Sequence, residues 1–144
     1  NMGRASMIGL DTNVLARYYI DDAGDSESVK QREAARRLIE AGSALMVSKT
    51  VLLELEWVMR GYYTFSNEAI SSAFAHLLAM PHVQVEGKSQ VQMALQHYRA
   101  GLDFADALHH ASYHLCTAMA SFDDRRFARR VKKMALIPHV IVPK

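Results

Sequence analysis

The residues able to do chemistry in this 144-residue chain are carboxylates spaced along its length. Asp11 sits in MIGLDTNVL, where an apolar run is broken by a carboxylate, a hydroxyl and an amide and resumes at Val14. Glu54 lies in VSKTVLLELEWVM, Asp103 and Asp106 in LDFADALHHAS, and Asp123 in ASFDDRRFARR. Carboxylates brought together repel one another, and burial raises their pKa. A hard divalent cation relieves that repulsion, and oxygen donors with retained waters are what Mg²⁺ takes. Such a cation activates water and stabilises charge on a phosphoryl group during displacement. Each acid also has a plainer role open to it. Asp11, Asp103 and Asp123 are each placed to cap a helix, Asp106 suits a helix dipole, and Glu54 could pair with Arg60.

The elements that must position these acids follow from periodicity and punctuation. Short apolar runs at 8–10, 44–47, 82–85, 117–122 and 140–142 read as strands. Between them, 13–20, 28–41, 48–60, 66–80, 89–100, 104–115 and 124–134 read as helices, with Gly42, Gly61 and Gly101 as stops and Pro81 closing the fourth. Strands alternating with helices imply βαβ crossovers and a short, mostly parallel sheet of about five strands, covered on both faces in a three-layer α/β/α arrangement. Ligands in such folds bind beyond the carboxyl ends of the strands. Asp11 and Asp123 follow strands directly, Glu54 lies early in the helix after the second strand, and Asp103 and Asp106 open a helix.

Composition narrows the partners. Half the residues are apolar, which argues against a disordered chain, and the formal net charge of +2 does not by itself call for nucleic acid or membrane. No apolar run is long enough to span a bilayer and no leader pattern is visible, so a cytoplasmic protein is expected. The lone Cys116, among apolar and neutral neighbours, is expected to be a buried thiol. Residues 1–6, NMGRAS, fit no element and are expected to be a tag remnant or disordered extension, leaving 7–144 as one domain.

His109, His110 and His114 invite a zinc reading, but there is no H-E-x-x-H and no Cys pair, so packing or surface placement is favoured. Arg125, Arg126, Arg129 and Arg130, with Lys132 and Lys133, make a basic helix directly after Asp123, suited to phosphate contact or to a solvated face. Tyr18, Tyr19, Trp57, Tyr62 and Tyr63 could stack on bases, although aromatics at helical spacing more often belong to a core or an interface.

Taken in order, LDTNVL with Asp11, the apolar helix with Glu54, FADALHHAS with Asp106 and ASFDD with Asp123 resemble the PIN-domain family, and particularly its VapC-type toxin ribonucleases. The similarity runs from Ile8 to about Val142, with Ser121 where the family usually has Thr. The resemblance implies a Mg²⁺-dependent (or Mn²⁺-dependent) endoribonuclease whose metal and catalytic residues are Asp11, Glu54, Asp106 and Asp123. Thr12 and Asn13 would be supporting groups and Asp103 a further ligand, with Asp124 a rival to Asp123. Glu56, two residues from Glu54, should point away from it. The resemblance also implies RNA as substrate, a homodimer, and a toxin–antitoxin hetero-oligomer with a VapB-like antitoxin. The other readings are a receiver-like phosphoryl-transfer protein and a PIN-like module without activity that serves assembly.

Overall fold

A computed structural model describes residues 7–22 and 24–144; the expected N-terminal extension lies outside them. The chain forms two compact units, one ending at Lys88 and one running from Ser89 to Lys144. In the first, β1 (Ile8–Gly9) pairs in parallel with β2 (Leu45–Val47), which pairs in parallel with β3 (Val83–Val85). Parallel neighbours need crossovers. Between β1 and β2 these are α1 (Thr12–Tyr19) and α2 (Ser26–Glu40); between β2 and β3 they are α3 (Lys49–Trp57) and α4 (Asn67–Ala79). Leu45 and Val47 of β2 are wholly buried, as are Leu15, Ile39, Leu55 and Ile70 on the helices. Side chains also start the helices: Asp25, Ser48 and Ser66 accept hydrogen bonds from the backbone of Ser28, Val51 and Ala69.

The end of α3 departs from the sequence expectation. Instead of stopping at Gly61, the chain widens into a π-helical turn over Val58–Tyr62, where the Tyr63 N–H donates to the Val58 carbonyl at 3.2 Å. Gly61 therefore lies inside the turn, and reversal comes at Thr64, with φ of 57°. Glu54 does not pair with Arg60. Arg60 reaches Glu56 instead, its Nε donating at 2.7 Å to a carboxylate that shares the buried stripe of Leu52, Leu55 and Met59.

The second unit takes in α5 (Lys88–Arg99), which opens at the boundary, then α6 (Phe104–Ser112), β4 (Ala118–Ala120), a π-helical turn over Asp124–Ala128, α7 (Arg129–Lys133) and β5 (His139–Ile141). Strands β4 and β5 pair in parallel, Ala118 opposite His139 and Ala120 opposite Ile141. Tyr98 and Phe104 meet edge to face at 5.3 Å, and Val91, Ala94, Leu108, Phe127 and Val131 are buried. Helix α6 ends three residues earlier than expected. The turn that follows leaves Cys116 exposed, which corrects the expectation of a buried thiol. The fold is thus mixed α/β with parallel strands, but the strands form two hydrogen-bonded ladders where a single sheet was expected. Runs of two or three paired residues are too short for hydropathy to specify their partners. Among the described residues no helix is long and apolar enough to cross a membrane.

Gly42 and Gly101 end their helices with φ of 90° and 113°, the region that side chains disfavour. Gly61 has no such φ, and a Cβ there would meet the Trp57 ring at an ordinary 3.8 Å. Gly101→Ala is therefore expected to lower stability by about 1–2 kcal/mol. Gly61→Ala should leave stability unchanged or raise it by up to about 1 kcal/mol. Urea midpoints of the two variants check the contrast, and equal losses at both sites would contradict the backbone geometry.

Candidate active site

The first cluster is organised by Thr12. Asp11 leaves β1 in an extended conformation (ψ 162°) and caps α1, its Oδ1 accepting from the Thr12 N–H at 2.7 Å. The Thr12 side chain is buried, and its Oγ1 donates to Glu54 Oε1 at 2.5 Å. One residue thus holds the carboxylate that ends β1 and the carboxylate that α3 projects. Asp11 and Glu54 are themselves exposed. The capping role of Asp11 and its availability at a strand end coexist, because the cap engages one oxygen of the pair. Packing of α1 against α2 and α3 keeps the two acids on facing elements.

Asp11, Thr12, Asn13 and Glu54 are among the residues lining a pocket of about 500 Å³ in this unit. Its other walls are Arg17, Gln31, Trp57, Tyr62 and Tyr63. Arg17 Nε donates to Gln31 Oε1 at 2.8 Å, and Tyr62 and Tyr63 pack edge to face at 4.8 Å. Trp57 is 61% exposed and Tyr62 75%, so of the core or interface role favoured from sequence the core part does not hold for them. Tyr18 and Tyr19 bond elsewhere, to Glu40 and His76. Arg17 and Gln31 were not anticipated as site residues. The usable signal was the i,i+4 spacing of Asn13 and Arg17, which puts both on one face of α1.

The second cluster lies in the other unit. Asp103 caps α6, its Oδ2 accepting from the Asp106 N–H at 3.1 Å. Asp123 Oδ1 accepts from the Arg126 N–H at 3.0 Å, while the Asp123 N–H donates to Ser121 Oγ at 3.1 Å. Asp106 is half-buried, and its carboxyl is pushed above the ordinary range by burial and then by the charges of Asp103 and Asp123; His109 and Arg130 pull the other way. Asp124 is tied up in an ion pair with Arg129 at 2.9 Å. That leaves Asp123 the better-placed acid of the two. Arg125, Arg126, Arg129 and Arg130 are all exposed, and Arg130 Nη1 reaches the Gly101 carbonyl at 3.3 Å.

The histidines fall into packing and surface roles. His110 is fully buried with Nε2 against the Pro138 carbonyl at 2.6 Å, while His109 and His114 are exposed. Among the described residues no three Asp, Glu, His or Cys side chains form a ready-made cation cage. The chemistry of the donors nonetheless suits a hard cation: carboxylate oxygens flanked by hydroxyl and amide groups, and around Asp106 the crowding of negative charge that a cation relieves.

That crowding has a measurable sign. Because the Asp106 pKa is raised on folding above its ordinary 3.8, the folded state holds a proton that the unfolded state releases first. Stability then falls as pH rises from that value through the raised one. In metal-free protein, Asp106→Asn should melt higher than wild type at pH 7, with the difference shrinking as pH falls below 3.8. Melting curves across pH check this; a variant less stable than wild type at neutral pH would refute the account of crowding.

No curated protein matches the chain. The model of the PIN domain family matches residues 8–133, which takes in both clusters of acids. Proteins of that family are generally nucleases and typically use divalent metal ions. The match covers most of the sequence and includes every strand except β5, so the chain belongs to the PIN domain family.

Proposed function

We propose that this PIN domain is a Mg²⁺-dependent endoribonuclease, with Mn²⁺ able to substitute, and the toxin of a cytoplasmic toxin–antitoxin pair. The observation that carries the reading is the bridge through Thr12, which presents Asp11 and Glu54 together on the lining of a pocket. Asp11 accepts from the Thr12 backbone N–H and Glu54 from the buried Thr12 hydroxyl, so a single residue ties the two carboxylates to one another. By the likeness of the motifs, Asp11, Glu54, Asp106 and Asp123 would be metal ligands, with Thr12, Asn13 and Asp103 supporting them. When bound, the cation supplies a Lewis acid for a water and for the phosphodiester oxygens.

The chain's own residues do the rest. Thr12 fixes the orientation of two carboxylates, so that less ordering is needed as substrate arrives. Arg125 and Arg126, exposed beside Asp123, are suited to the phosphates of RNA. The likeness of the acid motifs to VapC-type toxins supports a homodimer and a small VapB-like antitoxin whose C-terminal segment covers the acids. The receiver-like alternative is set aside by the family match.

The test is cleavage of a mixed RNA pool with and without Mg²⁺. Wild type should cut only with metal, and Asp11→Asn should not cut while keeping the wild-type fold by circular dichroism. Thr12→Val should cut roughly 10- to 100-fold more slowly and need more Mg²⁺, as expected when a group that orients a ligand is lost. Thr12→Ser, which keeps the hydroxyl, should recover most of the rate. Cleavage by Asp11→Asn at the wild-type rate would overturn the site, and a wild type inert toward RNA with Mg²⁺ would overturn the function.

A further inference from the structure

Asp11 and Glu54, with Thr12 and Asn13 beside them, account for part of the pocket lining in the first unit, and Arg17, Gln31, Trp57, Tyr62 and Tyr63 are given no part in holding a cation. Trp57 and Tyr62 expose large aromatic surface there, which costs solvation unless something covers it. The π-helical turn is what brings them together. It follows directly from the helix carrying Glu54, and it places Trp57, Tyr62 and Tyr63 on the pocket within the same stretch of chain. Tyr63 is anchored from behind, its hydroxyl donating to Asp22 Oδ2 at 3.4 Å, and Tyr62 stands edge-on against it. Gln31 and Asn13 also line the pocket, with amides that both donate and accept, and Arg17 is steadied by Gln31.

Resting on the nuclease reading above, we infer that this pocket is a subsite for one unpaired nucleobase next to the scissile phosphodiester. Trp57 and Tyr62 supply the stacking surface, and Asn13, Arg17 and Gln31 face the base edge and its phosphate. The combination fits a base better than other occupants. An apolar peptide side chain would leave two amides and a guanidinium facing hydrocarbon, whereas a base has a π-face for the rings and polar edges for the amides. A base already paired and stacked in a duplex cannot offer that face, so the subsite admits single strands, loops and bulges.

Trp57 is the single tryptophan of the chain, so its fluorescence reports on the pocket directly. The full chain in EDTA, where no cleavage is expected, would be titrated with a short single-stranded RNA, the same RNA as a duplex, and an abasic oligomer of equal length. Saturable quenching by the single strand is expected, with several-fold weaker binding of the duplex and the abasic chain. Tyr62→Ala should weaken binding of labelled single-stranded RNA, followed by anisotropy, by roughly 5- to 150-fold, the range for losing one stacked base. Since Tyr62 lies on the surface, an unchanged melting temperature would confirm that the variant is folded. Cleavage by wild type with neither quenching nor an effect of Tyr62→Ala overturns the subsite and leaves the nuclease reading intact. Equal quenching by the abasic oligomer also overturns it, because the pocket would then be following phosphates. Quenching that requires bases, in a protein that cuts no RNA with Mg²⁺, supports the subsite and overturns the nuclease reading.

Discussion

The arrangement in the first unit depends on one residue satisfying two distant carboxylates. The Thr12 backbone N–H belongs to the opening turn of α1, where it has no helical acceptor, and Asp11 takes it. The Thr12 hydroxyl is buried and would be costly without a partner, and Glu54 takes that. Both bonds therefore serve folding, yet each also fixes a carboxylate whose other oxygen is left for a ligand. This economy explains why a polar triplet interrupts an apolar run at Asp11: the strand must end in a carboxylate and the helix must begin with a buried donor. Alanine at position 12 would still propagate the helix, but it would leave Glu54 without the contact that ties α3 to the end of β1.

Legibility from sequence followed the length scale of each signal. Asp11, Asp103 and Asp123 were readable because caps and strand ends are local, and the structure gives each a capping bond to a backbone N–H one or three residues on. The helices were readable from their buried stripes, as with Leu52, Leu55 and Met59. The π-helical turns were not. A turn closed by an i→i+5 bond uses the same residue types as one closed by i→i+4, and what selects it is the packing around it. Gly61 misled for that reason, since glycine ends a helix only when its φ is positive, and here the reversal was taken by Thr64. Strand pairing was equally hidden, because β1 offers two residues and the other strands three. Trp57, Tyr62 and Tyr63 were readable as residues able to stack on bases but not as lining of a pocket, because aromatic residues have the same hydrophobicity whether they face a core or a ligand.

Both π-helical turns follow an acid of the family motif. One trails the helix of Glu54, and the other begins at the residue after Asp123. In the second case the Ala128 N–H donates to the Asp123 carbonyl at 3.0 Å, while the Asp123 side chain caps the Arg126 N–H. Asp123 is thus held through both its main chain and its side chain by the wide turn that carries Arg125 and Arg126. A regular α-turn would rotate the following side chains to different headings. The irregularity is the means by which a carboxylate and neighbouring cationic or aromatic groups are set at fixed angles to one another.

The acids of this chain divide by what surrounds them: some carry a charge that a partner compensates, and one carries a charge that its surroundings disfavour. Glu56 is almost wholly buried, but Arg60 bonds it at 2.7 Å, so its charge is compensated within the helix. Asp25 stands at the opposite extreme, exposed and held below its ordinary range by the backbone and side chain of Ser28. Asp124 has Arg129. Around Asp106 the balance runs the other way: partial burial and two neighbouring carboxylates act against ionisation more strongly than His109 and Arg130 favour it. A fold selected for stability alone would place an amide or an apolar residue there. Retaining a carboxyl where its charge is disfavoured makes physical sense when a cation is to be bound, because the electrostatic cost carried by the empty protein is returned as affinity for the ion.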